Sequence, residues 1–471
     1  MRSNKANGLS AFFEPASVAI FGSLKADKFS MGNARGAIKN MLQFGFKGKI
    51  YPISQSGGEA MGFKAYTSVD EVSEPIDLAM LIIPPQVVPE VLNQCARKGI
   101  RSVIIGSENF AEAGEDGAKL QKQVVEIIKR TGIRALGPNT LGVLNPSFGL
   151  ITTPYLLDFF SVLKGGIGYG SQSGLVCFGG HPLKDKGYPI SKLCDFGNKC
   201  DINEVDLLEY FYNDPETKVI SMHLEDIKDG PTFIKVARKV VSRKPVLVFK
   251  PGRSQAGAKA AASHTGSLAG NDLVYESAFR QSGVIRVNSM REFWEVPKVF
   301  SSQPLPKGNR IAIISATGGG GVICIDAAIE AGLVSATFTD STRQKLARLS
   351  PRMANNPVDM GPVLSVIVDP FPVIEEIALA VLSDVNVDCA TLVLPGMSNT
   401  VDIFNHLKPH LVDIAKPITV FLYGTGLAGM EETLRQLEAL GFPAYLDPEI
   451  AVKSLGVSVA YSKIKMRAEK L

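Results

Sequence analysis

Residues 252–270 read GRSQAGAKAAASHTGSLAG, and in that run one imidazole, His264, stands among glycine, alanine and serine residues too small to crowd it. A bulky substrate or a partner protein could approach such a ring closely, and a neutral imidazole is a competent nucleophile near pH 7. Lys250 precedes the run, at the end of an expected strand. Taken alone, the same run also fits a flexible surface loop with an incidental histidine. A second stretch, Ser171-Gln172-Ser173-Gly174, follows an apolar run and reads as small residues opening a helix. Amide N–H groups and the positive end of a helix suit a phosphate or a phosphorylated side chain, although a plain serine cap leaves the same signature. Two further residues are ambiguous by themselves. Glu225, in LEDIKDG, reads as a solvated carboxylate at a strand end, and Asn139, in Gly137-Pro138-Asn139, as a turn residue.

The elements that must position these residues follow one scheme. Short β-branched and apolar runs alternate with helical stretches and glycine-containing turns, the pattern of βαβ units on parallel sheets. Ser17 to Phe21, Lys49 to Ile53, Leu78 to Ile83 and Ser102 to Ile105 are the strands of a first, Rossmann-like domain ending near Asn145. Residues 146–163 read as a weakly patterned connector. Gly166 to Gly170, Leu193 to Asp195, Val219 to Met222 and Pro245 to Phe249 then form a second array. Prolines and a glycine within residues 303–308 mark another boundary, after which Arg310 to Ser315, Cys389 to Leu394 and Ile418 to Leu422 repeat the scheme. The expected fold is therefore α/β in three domains: 1–145 Rossmann-like, then two flavodoxin-like domains over 146–303 and 304–471.

Bulk properties exclude several classes of function. With 45% hydrophobic and 20% charged residues the chain has the balance of a folded protein, and its 471 residues exceed what one core ordinarily holds. Fifty Lys and Arg against 46 Asp and Glu leave a formal charge of +4, without a basic block, so nothing in the composition points to nucleic acid or a membrane surface. No run of eighteen apolar residues and no secretory leader is seen near Met1, so a cytoplasmic location is expected. Six scattered cysteines without CxxC or metal-ligand spacing read as reduced structural thiols, and no metal site is expected in the chain.

SHTGSLAGNDLVYESAFRQSGVIRV, residues 263–287, resembles the phosphohistidine loop and following helix of the nucleoside-diphosphate-forming acyl-CoA synthetases, the superfamily of succinyl-CoA synthetase. The similarity covers nearly the whole chain, through FFEPASVAIFG, FKGKIYPI, FAEAGEDG, LGPNTLGVLN, SQSG, FGNKCDINEVDLLEYFYNDPETKVI, NPVDM and DPEIAVKSL in that order. It implies a first domain that binds coenzyme A, followed by two flavodoxin-like ligase domains, in an alpha-type subunit of an acid–CoA ligase forming ADP or GDP. The nucleotide, ADP/ATP or GDP/GTP with Mg²⁺, would sit on a separate beta-type subunit of ATP-grasp fold, in an α2β2 heterotetramer. Acyl-CoA and phosphate would give an acyl phosphate and CoA; His264 would take the phosphoryl group and pass it to the nucleoside diphosphate. Glu225 matches the family's carboxylate beside that histidine, where it would fix the tautomer. By the same resemblance, phosphate binding would fall to Ser171, Gln172, Ser173, Gly174, Thr265 and Gly266, and CoA binding to Gly22, Ser23, Pro84, Ser107 and Asn139, the last where the thiol end would meet the active centre. His181, His223, His406 and His410 have no matching role and read as structural or surface residues.

The chain departs from the pattern in places. Ser54-Gln55-Ser56 stands where the family commonly has Asn-Pro-Lys, and Ser107-Glu108-Asn109-Phe110 where it has Ser-Ala-Gly-Phe. One phosphate contact is thereby lost and one negative charge gained near a polyanionic ligand. Gly318 to Gly321 stands where Gly-Gly-Pro-Gly is common, still as a glycine turn opening a helix. Two other readings stay open at this level: an acyl-CoA-processing protein that uses no phosphohistidine, and a non-catalytic CoA-binding subunit. The acid, and the choice between ADP and GDP, cannot be read from these residues.

Overall fold

Runs such as Val18-Ala19-Ile20 and Leu78 to Leu81 are apolar at every position, a pattern that only a sheet covered on both faces can bury. The structure of the chain, a computed structural model, buries all of them completely. It describes residues 8–25, 33–155, 162–179, 187–259, 271–368, 370–424 and 426–468. His264, Thr265, Gly266 and His181 lie outside the described residues. The fold falls into two compact units, one within Met1–Pro182 and Ile190–Met290, the other within Leu183–Pro189 and Arg291–Leu471.

The first unit holds two sheets. In the first, five parallel strands run in the order Lys49–Ile53, Ser17–Gly22, Leu78–Ile82, Ser102–Ile105, Arg134–Leu136. Chain order therefore reverses beside Ser17–Gly22, and in open α/β sheets the crevice beyond the carboxyl ends at such a reversal is where ligands bind. Helices on the faces present apolar stripes: Val88–Lys98 turns Val88, Val91, Leu92 and Cys95 into the core and ends at Gly99, whose φ of 85° a side chain would resist. The helix Ala34–Phe44 begins at Asn33, whose side chain accepts the Gly36 N–H.

The second sheet runs Ile285–Val287, Val246–Phe249, Val219–His223, Lys164–Ser171, Ile190–Asp195, Val143–Asn145, Leu150–Ile151. Its first five strands are parallel, and the last two are added antiparallel. Leu150 and Ile151 thus form an edge strand inside the stretch read as a connector; two residues are too few to show a period. The two sheets share one body. Arg134, on the last strand of the first sheet, pairs with Asp201 (2.9 Å) and Asp206 (2.8 Å), and Phe13 stacks on Tyr210 at 4.8 Å between centroids. Asp206 also closes a reciprocal cap with Asn203 at the start of the helix Glu204–Asn213.

The second unit repeats the parallel scheme: Val334–Ser335, Arg310–Ser315, Cys389–Pro395, Ile418–Tyr423, Ala444–Tyr445, with Val358–Asp359 also paired to Arg310–Ser315. Arg310 grips Asp388 through two parallel hydrogen bonds of 2.8 and 2.9 Å, fixing the start of two adjacent strands. Gly318 to Gly321 form the first turn of the helix Gly318–Glu330 itself, and a side chain at Gly320 would run into Val393. A Rossmann-like sheet followed by two flavodoxin-like ones is the fold expected from the sequence.

Candidate functional site

A cavity of about 920 Å³ opens at the carboxyl ends of the first sheet, walled by the residues that follow each strand. Gly22 and Ser23, then Ser54, Gln55 and Ser56, then Pro84, then Ser107, Glu108 and Asn109 all line it. Gly22 has φ 148°, and a Cβ there would lie 2.4 Å from the Ile82 carbonyl oxygen, so only glycine lets the turn leave the strand so close to its neighbour. The Ser107 hydroxyl donates to the Ile83 carbonyl at 2.6 Å and accepts the Ile83 N–H, tying two strand ends together. Ser107 therefore shapes the crevice through its hydroxyl. Lys25 is the one cation among the described lining residues, against Glu90 and Glu108. In size the cavity stands at the upper end of the ~300–1,000 Å³ usual for ligand pockets.

Gly106, Glu108, Leu141 and Tyr155 also border a second cavity, of about 410 Å³. Asn139 belongs to this one, with Thr140, Thr153, Gly174, Leu175, Phe178 and Asp195. Asn139 is held in the left-handed region at φ 59°, which asparagine tolerates, and donates its N–H to the Ser107 carbonyl at 2.9 Å. Asp195 ends the strand Ile190–Asp195, and its carboxylate accepts the Leu141 N–H at 2.8 Å. Burial pushes its pKa up to about 7 against the pull of backbone N–H groups, and the charge of Glu225 adds to the rise.

The Ser171 turn meets the end of the strand Val219–His223. Gln172 Nε2 donates to Asp226 at 2.8 Å, while Gln172 Oε1 accepts the N–H groups of Glu225 (2.9 Å) and Asp226 (3.3 Å). Asp226 in turn grips buried Lys199 at 2.6 Å, and Lys199 also pairs with Glu204 at 3.0 Å. Burial would raise the Asp226 pKa, but Lys199 beside it prevails and holds the carboxyl below its ordinary value. Two amides of the turn are engaged: Gln172 N–H with the His223 carbonyl and Ser173 N–H with the Ser171 hydroxyl. The helix that follows is described as five residues of wide, π-type turn, Leu175–Gly179. His223 is buried and meets the Ser171 hydroxyl through Nδ1 at 3.1 Å; burial, with Lys250 and Lys199 nearby, lowers its pKa to about 3 and keeps it neutral.

Lys250 and Asp272 flank residues 251–271, and Arg286 joins them: one guanidinium nitrogen donates to the Lys250 carbonyl (3.0 Å) and to Asp272 (2.5 Å). Lys250 is itself buried, with its ammonium 4.7 Å from the Tyr275 ring centroid. Burial first, then repulsion from Arg286, lowers its pKa. No group of three or more His, Cys, Asp or Glu placed to hold a metal occurs among the described residues. The six cysteines are free thiols, five of them buried.

Comparison with known proteins matches both stretches of chain that carry these residues to known domains. Residues 16–146 match the CoA binding domain model, and residues 164–300 match the succinyl-CoA ligase like flavodoxin domain model. The alpha subunit of acetate–CoA ligase (ADP-forming) I from Pyrococcus furiosus is 37% identical over 98% of this chain and 99% of its own. The chain belongs to the alpha subunits of the ADP-forming acyl-CoA ligases. The 4-hydroxybutyrate–CoA ligase (ADP-forming) of Nitrosopumilus maritimus is 39% identical over 74% of this ligase chain and 50% of its own. Among solved structures, acetyl-coenzyme A synthetase 1 of Ca. Korarchaeum cryptofilum, in complex with phosphate and ADP, superposes with a TM-score of 0.86, at 31% identity and 98% coverage of both chains.

Within the ligase, the residues named from sequence divide by place. Gly22, Ser23, Pro84 and Ser107 line the larger cavity, Asn139 and Gly174 the smaller, and Gln172 holds the backbone of Glu225. Lys25, Thr153, Tyr155, Asp195 and Lys250 border or support the same site and were not singled out as ligands by type and spacing. Lysine, tyrosine and threonine at strand ends carry no spacing signal, and Asp195 gains its place only through the sheet that buries it.

Proposed function

We propose that this acid–thiol ligase subunit works by the phosphohistidine route, with CoA in the larger cavity and the acyl group in the smaller. One observation carries the reading: the two cavities share a wall, and the smaller reaches Gly174 of the Ser171 turn. A thioester lying across that wall would present its carbonyl beside the turn at which phosphate is expected. Phosphate held near Ser171, Ser173, Gly174, Thr265 and Gly266 attacks the thioester carbonyl; the thiolate leaves as CoA and an acyl phosphate forms. The neutral His264 imidazole then takes the phosphoryl group and the free carboxylate departs. Glu225, its backbone pinned by Gln172, accepts a hydrogen bond from the second imidazole nitrogen and steadies the charge that develops. Positioning and electrostatics supply most of the rate in such transfers.

The CoA residues fit the cofactor on the structure's own terms, with a large crevice at the chain reversal and Lys25 at its edge. The segments 1–145, 146–303 and 304–471 are read as the CoA-binding domain, the domain carrying the phosphohistidine, and a second ligase domain. A beta-type ATP-grasp subunit, in an α2β2 heterotetramer, would hold ADP and Mg²⁺. No helix among the described residues is long and apolar enough to cross a membrane, and we place the enzyme in the cytoplasm. The test is a reconstituted assay with the beta partner: acyl-CoA, phosphate and ADP together yield ATP, and when ADP is withheld hydroxylamine gives a phosphate-dependent hydroxamate, from the acyl phosphate, above the background that acyl-CoA gives without phosphate. ATP formation without a trappable acyl phosphate would refute the route.

A further inference from the structure

Thr153 is completely buried, lines the smaller cavity, and its hydroxyl has no hydrogen-bond partner among the described residues. Leaving a buried hydroxyl unsatisfied costs free energy that a bound group can recover. The backbone there is held in place, because the Thr153 carbonyl accepts the Asn40 amide at 2.9 Å. The neighbouring Thr140 hydroxyl is already committed: it donates to the Asp195 carbonyl at 2.6 Å and accepts the Gly142 N–H at 2.9 Å. Asp195 differs again. One carboxylate oxygen takes the Leu141 N–H at 2.8 Å and the other a long 3.4 Å contact from the Gly197 N–H, with the Thr140 hydroxyl also against the group, which leaves lone pairs of the carboxylate uncommitted. The cavity thus offers a donor without an acceptor, at Thr153, and an acceptor with spare capacity, at Asp195. Leu141 and Phe178 supply apolar wall, and no Lys, Arg or His lies among the described lining residues.

We infer that the smaller cavity selects acids whose acyl chain carries a neutral polar group, above all a hydroxyl, and disfavours acids with a second carboxylate. The inference rests on the reading that this cavity takes the acyl end of the thioester. A hydroxyl can accept from Thr153 or donate to Asp195, whereas a methyl group in its place satisfies neither. A second carboxylate would enter beside Asp195 and Glu108 with no cation on the wall to offset it. The buried state of Asp195, and its pKa near 7, fit a site that receives neutral groups.

The experiment is isothermal titration of the full chain with CoA and with isosteric thioester pairs, 3-hydroxypropionyl-CoA against butyryl-CoA and 4-hydroxyphenylacetyl-CoA against 4-methylphenylacetyl-CoA, together with succinyl-CoA. In at least one pair the hydroxylated member should bind about tenfold or more tighter, and succinyl-CoA should bind about tenfold more weakly than butyryl-CoA. The near-isosteric Thr153→Val variant should bring the preferred pair to within about twofold, a ratio that general damage to the cavity leaves unchanged. Equal affinities within both pairs of the unsubstituted chain, or succinyl-CoA binding as tightly as butyryl-CoA, while CoA itself binds, overturns the inference and leaves the CoA reading intact. Failure of CoA itself to bind removes the reading and the inference together.

Discussion

The side-chain carbonyl of Gln172 accepts the backbone N–H of Glu225 at 2.9 Å, so the turn after one central strand fixes the carboxylate-bearing turn after the next. The Gln172 amide nitrogen completes the link on Asp226, which is anchored by Lys199. Glutamine is suited to this task because its one amide accepts on one side and donates on the other.

Removing that link should cost turnover rather than CoA affinity. Gln172→Ala is expected to lower kcat about 10- to 100-fold, the worth of hydrogen bonds to a charged group and a pinned backbone, with the Kd for CoA unchanged. Steady-state kinetics beside a CoA titration distinguishes the two; a change in Kd alone would contradict the assignment.

Lys25 is the one cation among the described residues of the larger cavity, and it is exposed. Lys25→Ala should weaken CoA about three- to tenfold at low salt, with the difference fading as salt screens it. Glu108→Ala should act in the opposite direction, strengthening CoA by removing like charge. Titrations at two ionic strengths check both; a loss on Glu108→Ala would contradict the electrostatic argument.

Asp195 imposes a pH dependence on stability. Its folded pKa, about 7, lies above the ordinary value of 3.8, so the unfolded chain ionises first as pH rises. The contribution is fully present below about pH 4 and is lost as pH rises through about 7, on the order of 4 kcal/mol at roughly 1.4 kcal/mol per pH unit. Asp195→Asn removes the ionisation and keeps an acceptor for the Leu141 N–H. Its Tm should exceed that of the unsubstituted chain by an amount that grows between pH 4 and pH 7 and then levels off. Scanning calorimetry across that range decides, and a difference independent of pH would contradict the account.

The clasp made by Arg286 predicts a different phenotype. Its guanidinium is buried, and it bonds both Lys250, before the histidine-bearing run, and Asp272, after it. Arg286→Ala takes a donor from a half-buried carboxylate and from a carbonyl, a loss of about 1.5–3 kcal/mol for hydrogen bonds to a charged group. Denaturant unfolding should show the loss, and phosphoryl labelling of the enzyme should fall further than CoA binding does. Equal stability of the variant would show that the clasp carries no load.

Much of this was legible in the residues. The strands around Val18–Ile20, Ile311–Ile314 and Leu392–Leu394 are apolar throughout, so parallel sheets with both faces covered follow from composition and period alone. The Ser171 turn and the motif around His264 were visible because small residues cluster there. Asp195 and Thr153 were not. Each is an ordinary residue in sequence and becomes special only when Leu141, Phe178 and Gly174, distant along the chain, are folded around the same space. Lys250 was seen as a strand-end lysine, while its partner Arg286 lies 36 residues on and is brought beside it by parallel pairing of Val246–Phe249 with Ile285–Val287. The short strand Leu150–Ile151 escaped because its pairing, rather than its pattern, makes it a strand.

The central claim is that His264 carries a phosphoryl group between the acyl phosphate and the nucleotide. The most direct measurement is to incubate the chain and its beta partner with γ-labelled ATP, isolate the chain and characterise the bound label. The account predicts stoichiometric label that survives base, is released by acid, is discharged by ADP, and is absent from His264→Ala. Label of the same chemistry on the His264→Ala chain would contradict it.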